Sequence, residues 1–156
     1  MTAIAPLTTE HVFDYRVKLK PPVFIGRGPF GTRVFYEVME GRAEGPRLNG
    51  DVLTGGGDWA IVDDHRWTRL DVRGQVRTDD GAVLMLKYDG VIEPTERLLK
   101  AVTAGEGVEF EDQYFRASIR VETGDERYAS LTRSLLVARG RILAGPGVEY
   151  QVFRVD

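Results

Sequence analysis

The sequence predicts an all-β protein, a single antiparallel β-barrel of calycin-like form with one short covering helix. Apolar and polar residues alternate in at least eight segments, most of them separated by short turns. Eighteen glycines are spread over the 156 residues, whereas only one segment has the spacing of an amphipathic helix. A sheet of that many strands with one helix tends to close, because closure removes its exposed edges.

Composition excludes several classes of protein. The net charge is −3, from 21 basic and 24 acidic side chains, whereas nucleic-acid-binding proteins usually have a basic excess. The chain has no cysteine, which excludes disulfides, thiolate metal sites and thiol catalysis. No apolar run is long enough for a transmembrane helix, and residues 1–7 do not resemble a signal peptide. We therefore expect one domain over residues 1–156, located in the cytoplasm, with no nucleic-acid or membrane partner.

Turn residues divide the chain into the expected strands. The strands are predicted at 12–20, 33–40, 48–53, 58–63, 67–78, 82–93, 114–123, 128–138 and 147–156. Asp79-Asp80-Gly81 is a tight-turn signal and predicts a hairpin between two of them. The glycine of Arg139-Gly140-Arg141 likewise indicates a turn.

One helix is predicted, over residues 95–104. It follows Pro94, carries an apolar stripe and stops at Gly105. The strand before it, 82–93, is apolar on both faces at its start. Because one layer within the monomer covers only one of these faces, we expect this strand or the helix to contribute to a homodimer or a higher homo-oligomer.

The most unusual stretch of the chain is residues 45–59. It contains a turn, a short strand, three consecutive glycines and then Asp58 and Trp59. Glycine permits positive φ and close approach of backbones. We expect this stretch to surround the open end of the barrel and to bind, with Trp59, a small and largely apolar or aromatic molecule.

Asp58 is the first candidate catalytic residue, and two interpretations of it are open. A carboxylate beside an aromatic ring in a partly dry site would have a raised pKa, which suits proton transfer near neutral pH. Alternatively, Asp58 accepts backbone hydrogen bonds from the glycine loop and has a structural role.

Asp71 and Arg73 are the second candidates for catalysis, again with two interpretations. They are two residues apart on a predicted strand and therefore share a face. If that face is inside the barrel, Asp71 would be an acid or base and Arg73 would stabilise negative charge. If it is the outer face, opposite apolar Leu70 and Val72, both are ordinary solvated residues, which the pattern alone favours.

Further polar side chains are candidates for ligand binding. Tyr88, Tyr114 and Tyr128 lie at or near predicted strand ends, where a phenol can donate to an oxyanion or simply fill space. Arg116 and Glu122 share a strand face, and their charges would have to pair if that face were interior. The residues expected to converge on one cavity are Asp58, Asp71, Arg73, Tyr88, Tyr114, Arg116 and Glu122.

Residues suited to metal binding or nucleophilic catalysis are sparse. His11 and His65 are far apart and the only histidines, which excludes an imidazole-rich site within one subunit. Asp63-Asp64 and Asp79-Asp80 could hold calcium but are more typical of solvated turns. No serine lies in a nucleophile-elbow motif. We expect neither a metal nor a cofactor.

Four motifs occur in one order that resembles the domain-of-unknown-function 3237 family of small bacterial and fungal proteins. They are Gly45-Pro46-Arg47-Leu48 through Gly57-Asp58-Trp59, Arg77 to Ala82, Tyr114-Phe115-Arg116 and Glu122-Thr123-Gly124. The resemblance covers nearly the whole chain and implies a calycin-like β-barrel, but no settled activity. After Tyr128 the family often has an aromatic residue and an asparagine, where this chain has Ser130 and Thr132. If those positions, Thr132 included, contact a ligand, this chain's ligand differs.

Three functions are compatible with these residues. The first is cofactor-independent acid–base catalysis on a small apolar or aromatic substrate, as an isomerase, lyase, hydratase or epoxide-opening enzyme. The second is a non-catalytic binding or carrier protein of the same fold. The third is a structural homo-oligomer.

Overall fold

The computed structural model describes all 156 residues and consists of ten β-strands and two short α-helices. The strands are β1 (Thr9–Leu19), β2 (Val23–Gly28), β3 (Gly31–Glu44), β4 (Gly50–Val52), β5 (Gly57–Val62), β6 (Thr68–Thr78), β7 (Val83–Ile92), β8 (Phe115–Glu122), β9 (Leu136–Leu143) and β10 (Gly147–Val155). The helices are α1 (Glu96–Ala104) and α2 (Ala129–Thr132).

The sheet closes into an antiparallel barrel with eight positions around its circumference. β1 pairs with β10, and the neighbours continue through β9, β8 and β7 to β6. β4 and β5 share the next position, each pairing with β6 on one side and β3 on the other. β3 then pairs with β1 and closes the ring, which confirms the predicted β-barrel. β2 pairs only with β3 and is the remaining edge.

Alternate side chains of most strands in the barrel wall enter the core, whereas the large apolar side chains of β2 are exposed. On β8, the residues from Phe115 to Val121 alternate strictly between buried and exposed positions. On β6, Leu70, Val72, Gly74 and Val76 are buried, and Asp71, Arg73 and Gln75 between them are half-buried or exposed. These inward side chains belong to one core cluster of 29 buried residues. On β6 and β8, the face that carries the apolar side chains therefore points inward, and the polar residues between them point outward.

The predicted helix is confirmed and covers one end of the barrel. The Thr95 hydroxyl accepts a hydrogen bond from the Leu98 N–H at 3.1 Å, which caps the first turn. Gly105 ends the helix with φ of 69°, a left-handed conformation that glycine adopts without a Cβ penalty. Leu98 and Ala101 are buried against the barrel. No helix is long and apolar enough to cross a membrane.

The region after residue 124 differs from the prediction. Residues 126–132 form a 3-10 turn and α2 rather than the start of a strand. β9 then runs without interruption through Gly140, where a turn was expected. A Cβ at this position would lie 2.8 Å from the ring of Phe115. The glycine is therefore required by side-chain packing in the middle of a strand, not by a turn.

Candidate functional site

A cavity of about 390 Å³ opens at the end of the barrel that α1 covers. Twelve of its 18 lining residues are hydrophobic, whereas the other main surface depressions have at most two each, so its lining is the one best suited to an apolar molecule. The ionisable side chains in the lining are Tyr36, Asp58, Arg66 and Tyr150. The remaining lining residues are Leu19, Ala60, Thr68, Leu70, Ile92, Leu98, Leu99, Val102, Thr103, Phe115, Ile142, Pro146, Gly147 and Val148.

The mouth of the cavity is not where the sequence placed it. It gathers the ends of β1, β7 and β9, the starts of β6, β8 and β10, and one face of α1. Of the stretch 45–59, only Asp58 lines the cavity. The expectation that this whole stretch surrounds the open end is wrong, because the turn at its start lies beyond the far end of β3.

The glycine loop itself behaves as its composition indicates. Gly55 has φ of 91°. A Cβ on Gly56 would lie 2.6 Å from the carbonyl oxygen of Arg73, and one on Gly57 would lie 2.4 Å from the ring of Phe35. Because Gly56 and Gly57 lack a Cβ, β5 can approach its neighbours this closely, and Asp58 follows directly, so the loop contributes to the site by positioning this residue.

Asp58 points into the cavity from β5. Its Oδ1 accepts a hydrogen bond from the backbone N–H of Asp71 at 3.0 Å. Burial raises the pKa of Asp58 to about 6; that hydrogen bond opposes the rise and the charge of Asp71 adds to it. The carboxyl group therefore exchanges its proton close to neutral pH. Both interpretations of this residue hold in part, although its backbone partner lies on β6 and not in the glycine loop.

Tyrosines surround Asp58. Tyr36 lies directly opposite it in the β3–β5 pair, and Tyr150 lines the cavity from β10. Burial raises the pKa of Tyr36, and the charge of Asp58 raises it further. Burial likewise raises the pKa of Tyr150 well above its usual value, with Asp58 the next cause. Both phenols therefore stay protonated at neutral pH and can donate a hydrogen bond to a ligand oxygen.

Two more tyrosines lie behind this pair. The ring of Tyr88 is 5.2 Å from that of Tyr150, and the ring of Tyr15 is 6.2 Å from each of them, measured between centroids. Tyr15 is fully buried and its hydroxyl has no hydrogen-bond partner. Tyr88 supports the cavity wall but does not line it, so its predicted contact with a ligand is replaced by contact with Tyr150.

Asp71 and Arg73 lie on the outer face of β6. The predicted convergence of this pair with Asp58 is wrong, because Leu70 and Val72 occupy the inward positions. Asp71 is half-buried and its Oδ1 is 3.9 Å from Nζ of Lys87, while Arg73 is exposed. Two charges in the core would lose their hydration. The apolar residues of the strand therefore point inward, and Asp71 and Arg73 point outward.

Arg116, Glu122, Trp59 and Tyr114 also fail to converge on the cavity. Arg116 and Glu122 are exposed on the outer face of β8. The guanidinium of Arg116 lies 4.9 Å from the ring centroid of Tyr114, which is itself half exposed. Trp59 points outward, and its ring stacks against Phe35 at 4.9 Å between centroids. The prediction that these side chains line the inside of the barrel is therefore wrong, because they lie on its outer surface.

Tyr128 and Thr132 are not part of the cavity lining, and Tyr128 lies against the hairpin that joins β6 to β7. The Tyr128 hydroxyl donates to Oδ1 of Asp80 at 2.7 Å. The Thr132 hydroxyl donates to the carbonyl oxygen of Ala129 at 2.9 Å and is exposed. Both side chains stabilise local structure, which corrects the expectation of a ligand contact there.

Tyr36, Tyr150 and Arg66 were not among the predicted site residues. A signal for the two tyrosines is present in the sequence, because Tyr36 lies between Val34 and Val38 and Tyr150 between two further valines. Alternate residues of a strand share a face, so a tyrosine between two inward-pointing valines also points inward. Arg66 lies in a polar turn and carries no such signal.

The acidic turns do not form a metal site. Oδ1 of Asp63 accepts hydrogen bonds from the backbone N–H groups of His65 and Trp67, at 2.9 and 3.0 Å. Asp79 forms two hydrogen bonds with the guanidinium of Arg42. No three histidine, aspartate or glutamate side chains come together in a way that could hold a metal ion. That the protein needs no metal stays a prediction, which elemental analysis of protein purified without metal-affinity steps would test.

Comparison with known proteins places the chain in a family. A sequence model described as a protein of unknown function, DUF3237, matches residues 7–155. A UPF0311 protein of Clostridium acetobutylicum is 30% identical over 138 residues, which cover 88% of this chain and 87% of the relative. A conserved protein of unknown function from Rhodopseudomonas palustris has a similar crystal structure, with TM-score 0.91, 28% identity and coverage of 98% and 100%.

A more distant structure shares the fold. An enzyme from Penicillium herquei has TM-score 0.70 at 15% identity, covering 100% of this chain and 99% of the other. The family match over nearly the whole length confirms the resemblance read from the four sequence motifs. The chain therefore belongs to the DUF3237 family of proteins of unknown function.

Proposed function

We propose that this protein binds a small, largely apolar molecule in the barrel cavity and transfers a proton on it without a cofactor. The observation that carries the proposal is Asp58, a carboxyl group with a pKa raised to about 6, in a cavity whose lining is mostly apolar. A general base or acid works best when its pKa is near the working pH. Tyr36 and Tyr150 supply neutral hydrogen-bond donors in the same lining.

The simplest reaction for this arrangement is isomerisation of a carbonyl compound. The Asp58 carboxylate removes a proton from the carbon next to the carbonyl, and the electron pair of the C–H bond becomes the enolate. The enolate oxygen accepts a hydrogen bond from Tyr36 or Tyr150, which lowers the barrier because the donor is already in place. The protonated Asp58 then returns the proton to a different carbon, so that no oxidant or second reactant is needed.

The same groups support three related reactions. Loss of a leaving group from the enolate would make the protein a lyase, and addition of water across the double bond would make it a hydratase. Opening of an epoxide would use Asp58 in its protonated form as the acid. The pKa of about 6 leaves both forms populated near neutral pH.

The comparisons add one supporting point. The Penicillium herquei protein is an enzyme built on a similar barrel. A barrel of this kind is thus compatible with catalysis, although function depends on the residues of the site and not on the fold.

A non-catalytic binding or carrier protein is the second candidate, favoured by the mostly apolar lining. A panel of carbonyl and epoxide compounds separates the two candidates. Catalysis predicts turnover of at least one compound that Asp58→Asn abolishes while its binding is retained. A carrier would bind members of the panel and release them unchanged, in the wild type as in the variant.

We also propose a homo-oligomer that uses the outer face of β7 or the exposed side of α1. Val83 on β7 is 44% exposed, and Leu99 and Val102 on α1 are 40% and 56% exposed. Because Leu99 and Val102 also line the cavity, a partner subunit on α1 would help to close its mouth. A strictly monomeric mass by light scattering at high protein concentration would contradict this arrangement. A cytoplasmic location remains part of the proposal.

A further inference from the structure

Arg66 has an unusual backbone conformation at the cavity mouth. It is the only residue other than glycine with positive φ, at 71°. Its N–H donates to the carbonyl oxygen of Asp63 at 2.9 Å, in the tight turn that joins β5 to β6. Hairpin loops of this kind usually place glycine at the left-handed position. A long side chain there is retained against a conformational cost, and such residues concentrate at functional sites.

The guanidinium of Arg66 also has no carboxylate partner. The acids nearest in sequence are engaged elsewhere: Asp63 is 3.3 Å from Nε of Arg69, and Asp64 is 2.8 Å from Nη1 of Arg27. Arg66 forms no ion pair and no side-chain hydrogen bond, with Asp58 or with any other residue. It is the single cationic side chain in the cavity lining.

From these observations we propose that Arg66 recognises a carboxylate on the ligand of this cavity. The ligand class is a small aromatic or aliphatic acid with its apolar body inside the barrel and its carboxylate at the mouth. An arginine side chain can bind both oxygens of a carboxylate through two parallel N–H groups. The inference rests on the proposed function of the same cavity and adds the charge of the substrate to it.

The position of Arg66 distinguishes it from other unpaired arginines. Arg120, for example, is exposed on the outer face of β8 and also lacks a carboxylate partner, but it is not part of the cavity lining. At the mouth, Thr68 and Thr103 add hydroxyl groups next to the apolar side chains of α1. A ligand that reaches Asp58 with one end therefore meets polar groups and a positive charge at the other end.

Calorimetric titration with matched pairs of compounds tests the proposal. The pairs are benzoate with benzamide and 2-naphthoate with 2-naphthamide, since each amide keeps the shape of its acid and lacks the charge. The wild-type protein is expected to bind at least one acid more tightly than its amide. Arg66→Gln should weaken binding of that acid about tenfold and change amide binding less than twofold. Arg66→Lys should restore part of the loss.

Two controls locate the effect. Arg120→Gln removes the same charge from the outer wall and should leave both affinities unchanged. Val102→Trp fills the mouth from an exposed position on α1 and should weaken both members of a pair. If acid and amide bind equally in the wild type, or if Arg66→Gln lowers both equally, the role of Arg66 is wrong while the binding cavity stands. If neither member of any pair binds, the cavity proposal fails together with it.

Discussion

Asp58 and Tyr36 face each other across the β3–β5 pair and both enter the cavity. The carboxylate charge raises the pKa of the tyrosine, in addition to the larger effect of burial. An acid with a pKa near 6 and a phenol that stays protonated form a pair whose pKa values are driven apart by their environment. Such a pair can move a proton with one member and stabilise an oxyanion with the other.

The first prediction concerns the pH dependence of catalysis. With Asp58 as the base, kcat/KM should rise about tenfold per pH unit at low pH and level off above pH 7, with an apparent pKa of about 6. The tyrosines near Asp58 do not titrate in this range, because the pKa values of Tyr36, Tyr88 and Tyr150 are all raised above their usual value of 10.0. A profile that falls with rising pH would assign the protonated form instead. An Asp58→Asn variant that keeps the wild-type rate and profile would remove this residue from the mechanism.

The second prediction links the same group to stability. The pKa of Asp58 is about 6 in the folded protein against 3.8 for a free side chain, so folding favours the protonated form. The contribution of Asp58 to stability is therefore fully present below pH 3.8 and is lost as the pH rises through 6. At pH 8, Asp58→Asn should raise the free energy of unfolding by about 1–3 kcal/mol, and this gain should vanish near pH 4.

Denaturant unfolding at both pH values measures this difference. Asp51→Asn, on an exposed carboxylate of β4, is a suitable control, because a change outside the cavity should not reproduce the effect. Equal stability of wild type and Asp58→Asn at pH 8 would show that the carboxylate is well solvated, and the proposed base would lose its physical foundation.

How far the sequence predicts this site depends on the parity of each strand. The alternation of apolar and polar residues correctly separates the two faces of β6 and of β8. On β6 it places Asp71 and Arg73 on the face opposite Leu70 and Val72. The pattern alone favours the solvent-facing interpretation of these charges, and the structure agrees with it. The proposal that they enter the barrel depended on the neighbouring glycine loop and on the family resemblance, and it fails because a packed core excludes hydrated charges.

Asp58 shows the opposite case. On β5 the larger apolar side chains, Trp59 and Ile61, point away from the core, and Asp58 and Ala60 point into it. The hydrophobic pattern alone would predict the opposite orientation, with Trp59 and Ile61 inside the barrel. Contacts between distant segments decide the orientation, because Trp59 stacks on Phe35 of β3 and Ala60 leaves room for the cavity. A strand that breaks the parity rule in this way is typical of a functional site.

The third prediction separates the tyrosines that line the cavity from those that do not. Removing a donor to an oxyanion costs about 10²–10³-fold in rate, so at least one of Tyr36→Phe and Tyr150→Phe should lower kcat/KM by about this factor. Tyr15→Phe is the matched control, since its buried hydroxyl has no partner. It should leave the rate within about twofold of wild type and leave stability unchanged or raised by about 1 kcal/mol. If Tyr15→Phe were as slow as the other two, the losses would reflect packing of the tyrosine cluster.

The last prediction concerns Gly140, where a substitution should change both the stability of the barrel and the shape of the cavity. A methyl group at this position would lie 2.8 Å from the ring of Phe115, which is fully buried and lines the cavity. The ring of Tyr150 also packs against it edge-on, with centroids 5.4 Å apart, so Phe115 can yield only toward the cavity that it lines. Gly140→Ala should therefore lower the free energy of unfolding by about 1–3 kcal/mol, as overpacking of a core does.

The displaced ring should also weaken binding of an apolar probe such as 2-naphthamide, because Phe115 would move into the cavity. Gly124→Ala is the matched control, since a Cβ there meets nothing within 4 Å. This variant should bind the probe as the wild type does and be equally or slightly more stable. Thermal unfolding and calorimetry measure both effects. A Gly140→Ala protein with normal stability and a normal affinity for the probe would contradict this prediction. It would show that the cavity wall beside Tyr150 is deformable. The cavity would then be less rigid than proton transfer from a fixed carboxylate requires.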